Sequence, residues 1–167
     1  MIEIRNAKEI DFEQIWTILH EVFSKGDTYS FSPNISKENA LHIWGEVPLA
    51  TYVATQNKEI LGTYYLKPNQ PGLGSHVCNA GYAVSTESRG KGIGKLMCMH
   101  SLKEARVYGF KAMQYNCVVS SNHPAIELWK KCGFNIVGTL HKAFKHRENG
   151  FVDAFVMYQW FDDIQEP

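Results

Sequence analysis

A glycine-rich basic loop at residues 88–95, SRGKGIGK, constrains the fold of this chain more than any other feature. The stretch before it, residues 76–85 (HVCNAGYAVS), is predicted to be a strand that leads directly into the glycines. The stretch after it, residues 93–109, has apolar residues at helical spacing and ends in glycine, which predicts a helix. The first N–H groups of a helix have no partner within it and attract anions, and glycines let an anion approach the backbone closely. The sequence therefore predicts a strand, a phosphate-binding loop and a helix in succession.

Two familiar phosphate-binding loops are excluded by their spacing. A P-loop requires Ser or Thr after Gly-Lys, whereas Gly94-Lys95 is followed by Leu96. A dinucleotide-binding loop requires GxGxxG, whereas the sixth residue counted from Gly90 is Lys95. The predicted phosphate site is therefore neither that of a nucleotide triphosphatase nor that of a nicotinamide enzyme.

The rest of the chain alternates between segments with strand and helix patterns. We predict one domain over residues 1–167, of the α/β (α+β) class, with about seven strands and about four helices. The predicted strands are residues 1–7, 51–56, 60–67, 76–85, 110–120, 134–140 and 151–160. The predicted helices are residues 8–26, 36–47, 93–109 and 121–133, and a polar loop is predicted at residues 141–150.

Charge and composition narrow the classes of partner. Lys and Arg number 17 and Asp and Glu number 17, so the formal net charge is zero, whereas nucleic-acid-binding domains usually carry a basic excess. No stretch reaches the roughly 18 apolar residues of a membrane span. The first residues include acidic side chains and no apolar run, unlike a signal peptide. We therefore expect a cytoplasmic protein that binds neither nucleic acid nor membranes.

The cysteines and histidines do not predict a metal site. Cys78, Cys98, Cys117 and Cys132 form no CxxC pair, which disfavours a zinc site of the usual spacing. We expect them to be buried or half-buried thiols, because free cysteine behaves as a small apolar residue. No pair of histidines supplies a full ligand set. We therefore expect no metal.

Two motifs at the expected separation carry a family resemblance. The first is Arg89-x-x-Gly92-x-Gly94, and the second is residues 122–134, NHPAIELWKKCGF. They resemble the (Q/R)xxGxG/A and N-x-x-A-x-x-L-[YW]-x-K-x-G-F motifs of the GCN5-related N-acetyltransferases, the GNAT superfamily. The order of predicted elements fits this family over essentially the whole chain. The resemblance implies the GNAT fold, with a mixed central sheet splayed into a V, and acetyl-CoA as co-substrate.

The resemblance also implies where acetyl-CoA binds. The pyrophosphate would bind the glycine loop, the pantetheine arm would pair with residues 82–84 like an added strand, and an N–H group near Val84 would face the acetyl oxygen. The implied cofactor-binding residues are Tyr82, Ala83, Val84, Arg89, Gly90, Lys91, Gly92, Ile93, Gly94, Lys95, Asn116, Asn122, Ala125 and Trp129. Each of three residues also has an alternative role. Asn122 could serve only as a helix cap. Lys91 and Lys95 could be surface charges, or could contact the 3′-phosphate of CoA.

The sequence departs from the family pattern at both proton-transfer positions. Many relatives have a catalytic Glu on the strand before the glycine loop, where this chain has Cys78 or Asn79. Asn79 is our catalytic candidate, because its amide could orient a water molecule or the substrate amine. Alternatively, Asn79 is a structural residue of the strand whose side-chain amide has all its hydrogen bonds made within the protein. Many relatives also have a Tyr as general acid, where this chain has Trp129, whose indole is no practical acid. Water, Tyr82 and Tyr115 are the remaining candidates for the acid.

The expected acceptor site combines aromatic and charged residues from distant segments. Tyr29, Phe31, Phe144 and His146 are the candidate substrate-binding residues. The sequence predicts an N-acetyltransferase that transfers acetyl directly from acetyl-CoA to the primary amine of a small molecule or amino acid. A protein N-terminal or lysine acetyltransferase, and a non-catalytic acyl-CoA-binding module, are the alternatives. The acceptor, the use of longer acyl groups and a homodimer through the apolar last strand stay open.

Overall fold

The computed structural model describes residues 1–162 of the chain. This part contains seven strands and four α-helices, joined by loops and short 3-10 turns. The strands are β1 (Glu3–Asn6), β2 (Ala50–Gln56), β3 (Glu59–Pro68), β4 (Val77–Val84), β5 (Ala112–Val119), β6 (Asn135–His146) and β7 (Gly150–Trp160). The helices are α1 (Phe12–Ser24), α2 (Lys37–Leu41, continued by a π-helical turn at His42–Glu46), α3 (Ile93–Val107) and α4 (His123–Lys131). The predicted number and order of elements are confirmed.

Local sequence explains where the helices begin and end. The Ser36 hydroxyl accepts a hydrogen bond from the Asn39 N–H at 3.2 Å and caps the start of α2. The Asn122 side-chain oxygen accepts from the Ala125 N–H at 3.3 Å and caps α4 in the same way. After α4 the chain turns at Gly133, whose φ of +98° is readily adopted only by glycine.

All seven strands form one sheet in the order β1-β2-β3-β4-β5-β7-β6. Every neighbouring pair is antiparallel except β4 and β5, which run parallel. These two strands pair only at Val77 with Ala112 and at Cys78 with Met113. Beyond Cys78 they separate, so the sheet opens into the predicted V between β4 and β5.

The helices cover the sheet on both faces and bury two apolar clusters. On one face, α3 and α4 pack over the sheet through side chains such as Met97 and Ile126. On the other face, α1 and α2 pack through side chains such as Leu19 and Trp44. Fully burying an apolar side chain of this size stabilises the fold by about 1.5–3 kcal/mol. The two layers therefore hold β4 rigidly from both sides up to the point where its edge becomes free. In residues 1–162 no helix has the length and apolar character needed to cross a membrane.

The segment before the last strand differs from the prediction. The predicted polar loop at residues 141–150 is wrong over most of its length, because β6 continues to His146. Phe144 pairs with Val152 and His146 pairs with Gly150, so only the hairpin tip is a turn. Most side chains of β6 are exposed, and polar residues are therefore compatible with a strand there.

The last strand lies inside the sheet and not at its edge. β7 pairs with β5 on one side and with β6 on the other. Along that paired length β7 has no free backbone edge for a strand of a second copy, so the idea that it pairs across an interface is wrong there, whereas packing of β7 across an interface stays a prediction. The free edge belongs to β6, and a homodimer stays a prediction.

Candidate active site

The diverging part of β4 presents backbone groups to a large cavity. Ser85 N–H donates to the Leu61 carbonyl at 2.9 Å, so the odd-numbered peptide groups of β4 face β3. The even-numbered groups beyond Cys78 therefore face the gap towards β5; these belong to Ala80, Tyr82 and Val84. A cavity of about 1350 Å³ opens along this edge. The unpaired strand edge can accept an extended ligand as an added strand, as the resemblance implies.

The glycine loop lies at the wide end of the cavity. Gly90 and Gly92 have φ of +75° and +80°, and Gly92 directly precedes α3. An added Cβ at either position would meet no atom within 4 Å, so it is the dihedral angle that requires glycine there. Leu96 N–H is bonded to the Gly92 carbonyl, and the N–H groups before it lie in the first turn, where a helix offers unpaired donors. This arrangement suits an anion such as a pyrophosphate.

The predicted cofactor residues come together, with one exception. Thirteen of them line the cavity: Tyr82, Ala83, Val84, Arg89, Gly90, Gly92, Ile93, Gly94, Lys95, Asn116, Asn122, Ala125 and Trp129. Lys91 is exposed and does not contribute to the cavity wall. Its alternative role as a surface charge therefore fits its position better.

The two asparagines of this set already have hydrogen-bond partners. Asn122 uses its side-chain oxygen to cap α4. Asn116 donates to the Asn69 side-chain oxygen at 2.7 Å and accepts from the Gln114 amide at 2.9 Å. The wall of β5 is therefore a chain of neutral amides linked to the loop after β3.

A bulge in β5 changes which way its residues face. The pairing of β5 with β7 shifts by one residue between Tyr115 and Val118. Tyr115 and Val118 both pack into the cluster under α3 and α4. Cys117 lies instead 3.8 Å from the Ser30 hydroxyl, on the side of α1 and α2. Cys117 and Tyr115 therefore lie on opposite faces of the sheet although they are two residues apart, because simple alternation does not continue through a bulge.

The Tyr29 side chain covers the middle of the free β4 edge. Its hydroxyl accepts from the Tyr82 N–H at 2.7 Å and donates to the Tyr82 carbonyl at 2.9 Å. The ring contacts three aromatic rings, those of Phe23 at 5.3 Å, Phe31 at 5.8 Å and Trp44 at 5.8 Å between centroids. Burial raises the pKa of Tyr29 well above its usual value, so the hydroxyl stays protonated. A pantetheine arm that pairs with the Tyr82 backbone must displace the Tyr29 hydroxyl.

Asn79 lies at the apex of the V, where the β4–β5 pairing stops. Its amide nitrogen donates to the Gln114 carbonyl at 2.9 Å, which extends the cross-strand bonding by one step. Its oxygen accepts from the Tyr65 hydroxyl at 3.2 Å, and only 7% of the residue is exposed. Both ends of the side chain are thus engaged in holding the two strands. The alternative role as a satisfied strand amide accounts for all of these contacts.

Cys78, the other residue at the position of the usual Glu, is no base either. It is fully buried, and its thiol donates to the Ala112 carbonyl at 3.3 Å. Burial raises the pKa of the Cys78 thiol to about 12, so it stays protonated at neutral pH. The described residues offer no carboxylate at this position.

The tyrosines considered as general acids point their hydroxyls away from the gap. The Tyr82 hydroxyl bonds to the Ser101 hydroxyl at 2.6 Å and to the Tyr115 hydroxyl at 2.9 Å, beneath α3. Burial raises the pKa of both tyrosines well above the usual value. Trp129 packs on the two rings, with centroids 4.9 Å from Tyr82 and 5.0 Å from Tyr115. The three aromatic residues therefore form a wall, and of the three candidates for the general acid only water is left.

The candidate acceptor residues meet at the other end of the cavity. Tyr29, Phe31 and His146 line it, whereas Phe144 is buried behind them and lines a second cavity of about 300 Å³ with Tyr29 and Phe31. The His146 Nδ1 accepts from the N–H groups of Glu148 at 3.1 Å and of Asn149 at 3.2 Å. His146 therefore shapes the hairpin tip.

The β6–β7 hairpin closes this end by docking on the segment after α1. Arg147 N–H donates to the Gly26 carbonyl at 3.1 Å, and the Arg147 guanidinium donates to the Ser24 carbonyl at 3.0 Å. A Cβ at Gly26 would lie 3.4 Å from that of Arg147, so the approach is close. Elements far apart in sequence thus enclose the aromatic end of the cavity.

Sequence reasoning missed several residues of the cavity wall, among them Thr28, Tyr65 and Lys67. The Thr28 hydroxyl is buried and has no hydrogen-bond partner. Tyr65 and Lys67 are two residues apart on β3, so their side chains lie on the same face of the sheet. They pair with Gly81 and Asn79, and this is therefore also the face that carries the Asn79 side chain. The period of β3 was available from the sequence, but its register against β4 was not.

Comparison with known proteins agrees with this geometry. Residues 12–134 match the family described as Acetyltransferase (GNAT) family. The chain belongs to the GNAT family. A GCN5-related N-acetyltransferase structure from Kribbella flavida is 34% identical to this GNAT protein, with a TM-score of 0.91, and the match covers 96% of this chain and 98% of the other.

Two curated relatives of this GNAT protein have named activities. N-acetyltransferase aca1 of Schizosaccharomyces pombe is 35% identical over 119 residues, which cover 71% of this chain and 57% of aca1. The chain thus matches little more than half the length of that relative. L-amino acid N-acetyltransferase AaaT of Escherichia coli is 26% identical over 168 residues, which cover 93% of this chain and 96% of AaaT.

The GNAT site of this chain is therefore built mainly from backbone groups, aromatic side chains and amides. Within residues 1–162 no group of three or more His, Cys, Asp or Glu side chains is arranged to hold a metal ion. The chemistry that the described residues can supply is orientation of an acyl chain and hydrogen bonding to its oxygen.

Proposed function

We propose that this GNAT protein is an N-acetyltransferase that transfers acetyl from acetyl-CoA to the primary amine of a small molecule or amino acid. The observation that carries the proposal is the free β4 edge. Its inward N–H groups run from the glycine loop, where the pyrophosphate would bind, to an enclosed aromatic end, where an amine would meet the acyl group. One continuous cavity thus suits both substrates of a direct transfer in a ternary complex.

Direct transfer needs an oriented thioester, a stabilised oxyanion and a neutral amine. The amine nitrogen attacks the thioester carbon, and the negative charge that develops on the oxygen is stabilised by an N–H group of β4. The C–S bond then breaks and CoA leaves as the thiolate. Because Cys78 stays protonated and the Asn79 amide is engaged, the acceptor reacts as the free amine, and water carries protons to and from the site.

The closure of the acceptor end favours a small molecule over a protein. The Arg147 contacts to Ser24 and Gly26 bring the hairpin against the segment after α1, which narrows access for a folded polypeptide. The name of AaaT specifies L-amino acids for that relative, and this supports the same class here. A protein N-terminal or lysine acetyltransferase would need an extended groove past this hairpin.

The decisive experiment follows release of the CoA thiol from acetyl-CoA in the presence of amines, amino acids and short peptides. We expect one class of free amine or amino acid to accelerate release and to yield the acetylated product by mass spectrometry. If acetyl-CoA binds but no acceptor accelerates release, the protein is an acyl-CoA-binding module. If only peptides are acetylated, the small-molecule proposal is wrong, and if acetyl-CoA does not bind, the proposed co-substrate is wrong.

A further inference from the structure

A lysine that the family motifs do not include projects into the acceptor side of the cavity. Lys67 pairs with Asn79 across β3 and β4, next to the last residue at which β4 pairs with β5. It lies on the same face as Tyr65, with its ammonium nitrogen 5.5 Å from the centroid of the Tyr65 ring. The side chain is half-buried and lines the cavity. The apex of the V therefore carries a positive charge on the acceptor side.

No carboxylate neutralises this charge within residues 1–162. The ion pairs found there involve Arg5, Lys37, His42, Lys130 and His141, and none involves Lys67. Asn79, which pairs with Lys67, carries a neutral amide, and Asn69, Gln114 and Asn116 form a linked set of neutral amides at the facing strand. The carboxylates that line the same cavity, those of Asp27 and Glu148, belong to the segment after α1 and to the hairpin tip. A half-buried cation without a paired carboxylate attracts an anion from solution.

The other cations of the cavity are engaged elsewhere. Arg89 and Lys95 belong to the glycine loop, and Lys25 donates to the Thr86 hydroxyl at 3.4 Å, beside that loop. The Arg147 guanidinium binds the Ser24 carbonyl at the end of α1. Lys67 is therefore the cation best placed to meet the acceptor at the apex, far from the CoA phosphates.

The separation along the sheet fits an amino acid. Tyr82 and Asn79 are three residues apart, which corresponds to about 10 Å along a strand. With the acyl oxygen at the Tyr82 N–H, two residues nearer the apex than Val84, the attacking amine and a carboxylate on its adjacent carbon would lie at the end of the gap where Asn79 and Lys67 are paired. The flexible four-carbon stem of Lys67 can close the remaining gap.

We propose that Lys67 binds the carboxylate of the acceptor, so that the preferred substrates are amino acids whose carboxylate adjoins the reacting amine. This inference rests on the proposed function. The same charge lies near the acceptor nitrogen, and a nearby cation disfavours the ammonium form. Lys67 thus positions the acceptor and also favours the free amine that attacks the thioester.

The test compares each amino acid that the enzyme accepts with the amine formed by its decarboxylation. We expect Lys67→Met to lower kcat/KM for the amino acid about 10- to 100-fold, mainly through KM, the range expected for losing a charge-assisted hydrogen bond. In the same variant, kcat/KM for the decarboxylated amine should change less than about 2-fold. Lys67→Arg keeps the positive charge and should retain most of the activity towards the amino acid. Lys103→Met is the matched control, because that lysine is exposed on α3 and lines neither cavity; it should leave kcat/KM for both acceptors unchanged.

The possible results separate this inference from the proposed function. If Lys67→Met lowers kcat/KM for the amino acid and for the amine by the same factor, or lowers neither, the proposed role in carboxylate binding is wrong. If the wild-type enzyme acetylates amines or C-terminally blocked peptides better than amino acids, the inference fails while acetyl transfer stands. If no acceptor is acetylated while acetyl-CoA binds, the proposed function itself fails, and the inference fails with it.

Discussion

Replacing Tyr29 by Phe should make acetyl-CoA bind more tightly. The Tyr29 hydroxyl bridges the N–H and the carbonyl of Tyr82 at 2.7 and 2.9 Å, where an acyl chain would pair. Each hydrogen bond contributes a net 0.5–1.5 kcal/mol, so binding at Tyr82 must break contacts worth about 1–3 kcal/mol. Tyr29→Phe removes both contacts from the free protein and leaves the complex as it is. The dissociation constant should therefore fall about 5- to 150-fold.

Two measurements on the same variant must agree. Calorimetric titration with acetyl-CoA gives the gain in binding free energy, and urea unfolding of the free protein gives the loss in stability. Both changes should be about equal, because both equal the free energy of the Tyr29–Tyr82 contact. With acetyl-CoA saturating, the unfolding free energies of variant and wild type should be equal, because the tighter binding of the variant offsets its lower stability in the free state.

The control is Tyr65→Phe, which removes a hydroxyl from the same cavity wall. That hydroxyl donates to the Asn79 side chain and not to the β4 backbone, so its loss should lower stability without strengthening acetyl-CoA binding. If Tyr29→Phe leaves the affinity unchanged or weakens it, Tyr29 does not compete with the acyl chain. The hydroxyl would then belong to the bound state.

Three further predictions concern stability. Gly92→Ala should lower Tm by about 2–8 °C and weaken acetyl-CoA binding, because φ of +80° costs a non-glycine residue about 1–2 kcal/mol; thermal unfolding with and without acetyl-CoA checks this. Asn79→Asp should cost about 1–3 kcal/mol at pH 7 and less at pH 5 in urea unfolding, since only a protonated carboxyl can donate to the Gln114 carbonyl. The guanidinium of Arg5 lowers the pKa of Asp11, so this pair stabilises the fold above about pH 4, and the stabilisation is lost as the pH falls below that. Asp11→Asn should therefore show a smaller loss of stability between pH 5 and pH 2.5 than the wild type does.

Much of the fold was predictable because it depends on short-range patterns. Period-two apolar alternation located the strands, and caps such as Ser36 and Asn122 located helix starts. The polar segment after Leu140 was not predictable in the same way. It forms a strand because it pairs with β7 at the edge of the sheet, and an edge strand needs no apolar face to be stable once its backbone is bonded.

The cofactor side of the site was also accessible from the sequence. A loop that binds through backbone groups depends on glycines, as at Gly90 and Gly92, and on a helix that follows, and both can be read along one segment. Lys91 shows the limit of that approach. Its side chain is exposed, whereas Gly90 and Gly92 on either side of it line the cavity. A motif identifies a segment, and the backbone dihedrals decide which of its side chains reach the ligand.

The acceptor side could not be predicted, because each of its features depends on the register between segments far apart in the chain. Lys67 lines the cavity only because β3 pairs with β4 so that Lys67 lies opposite Asn79, and a shift of one residue would send its side chain to the opposite face. Tyr29 covers Tyr82 only because the segment after α1 packs over that strand through aromatic contacts. Related GNAT proteins can keep the same glycine loop while differing at these contacts, so the acceptor must be sought in the register of β3 and in the packing of the segment after α1.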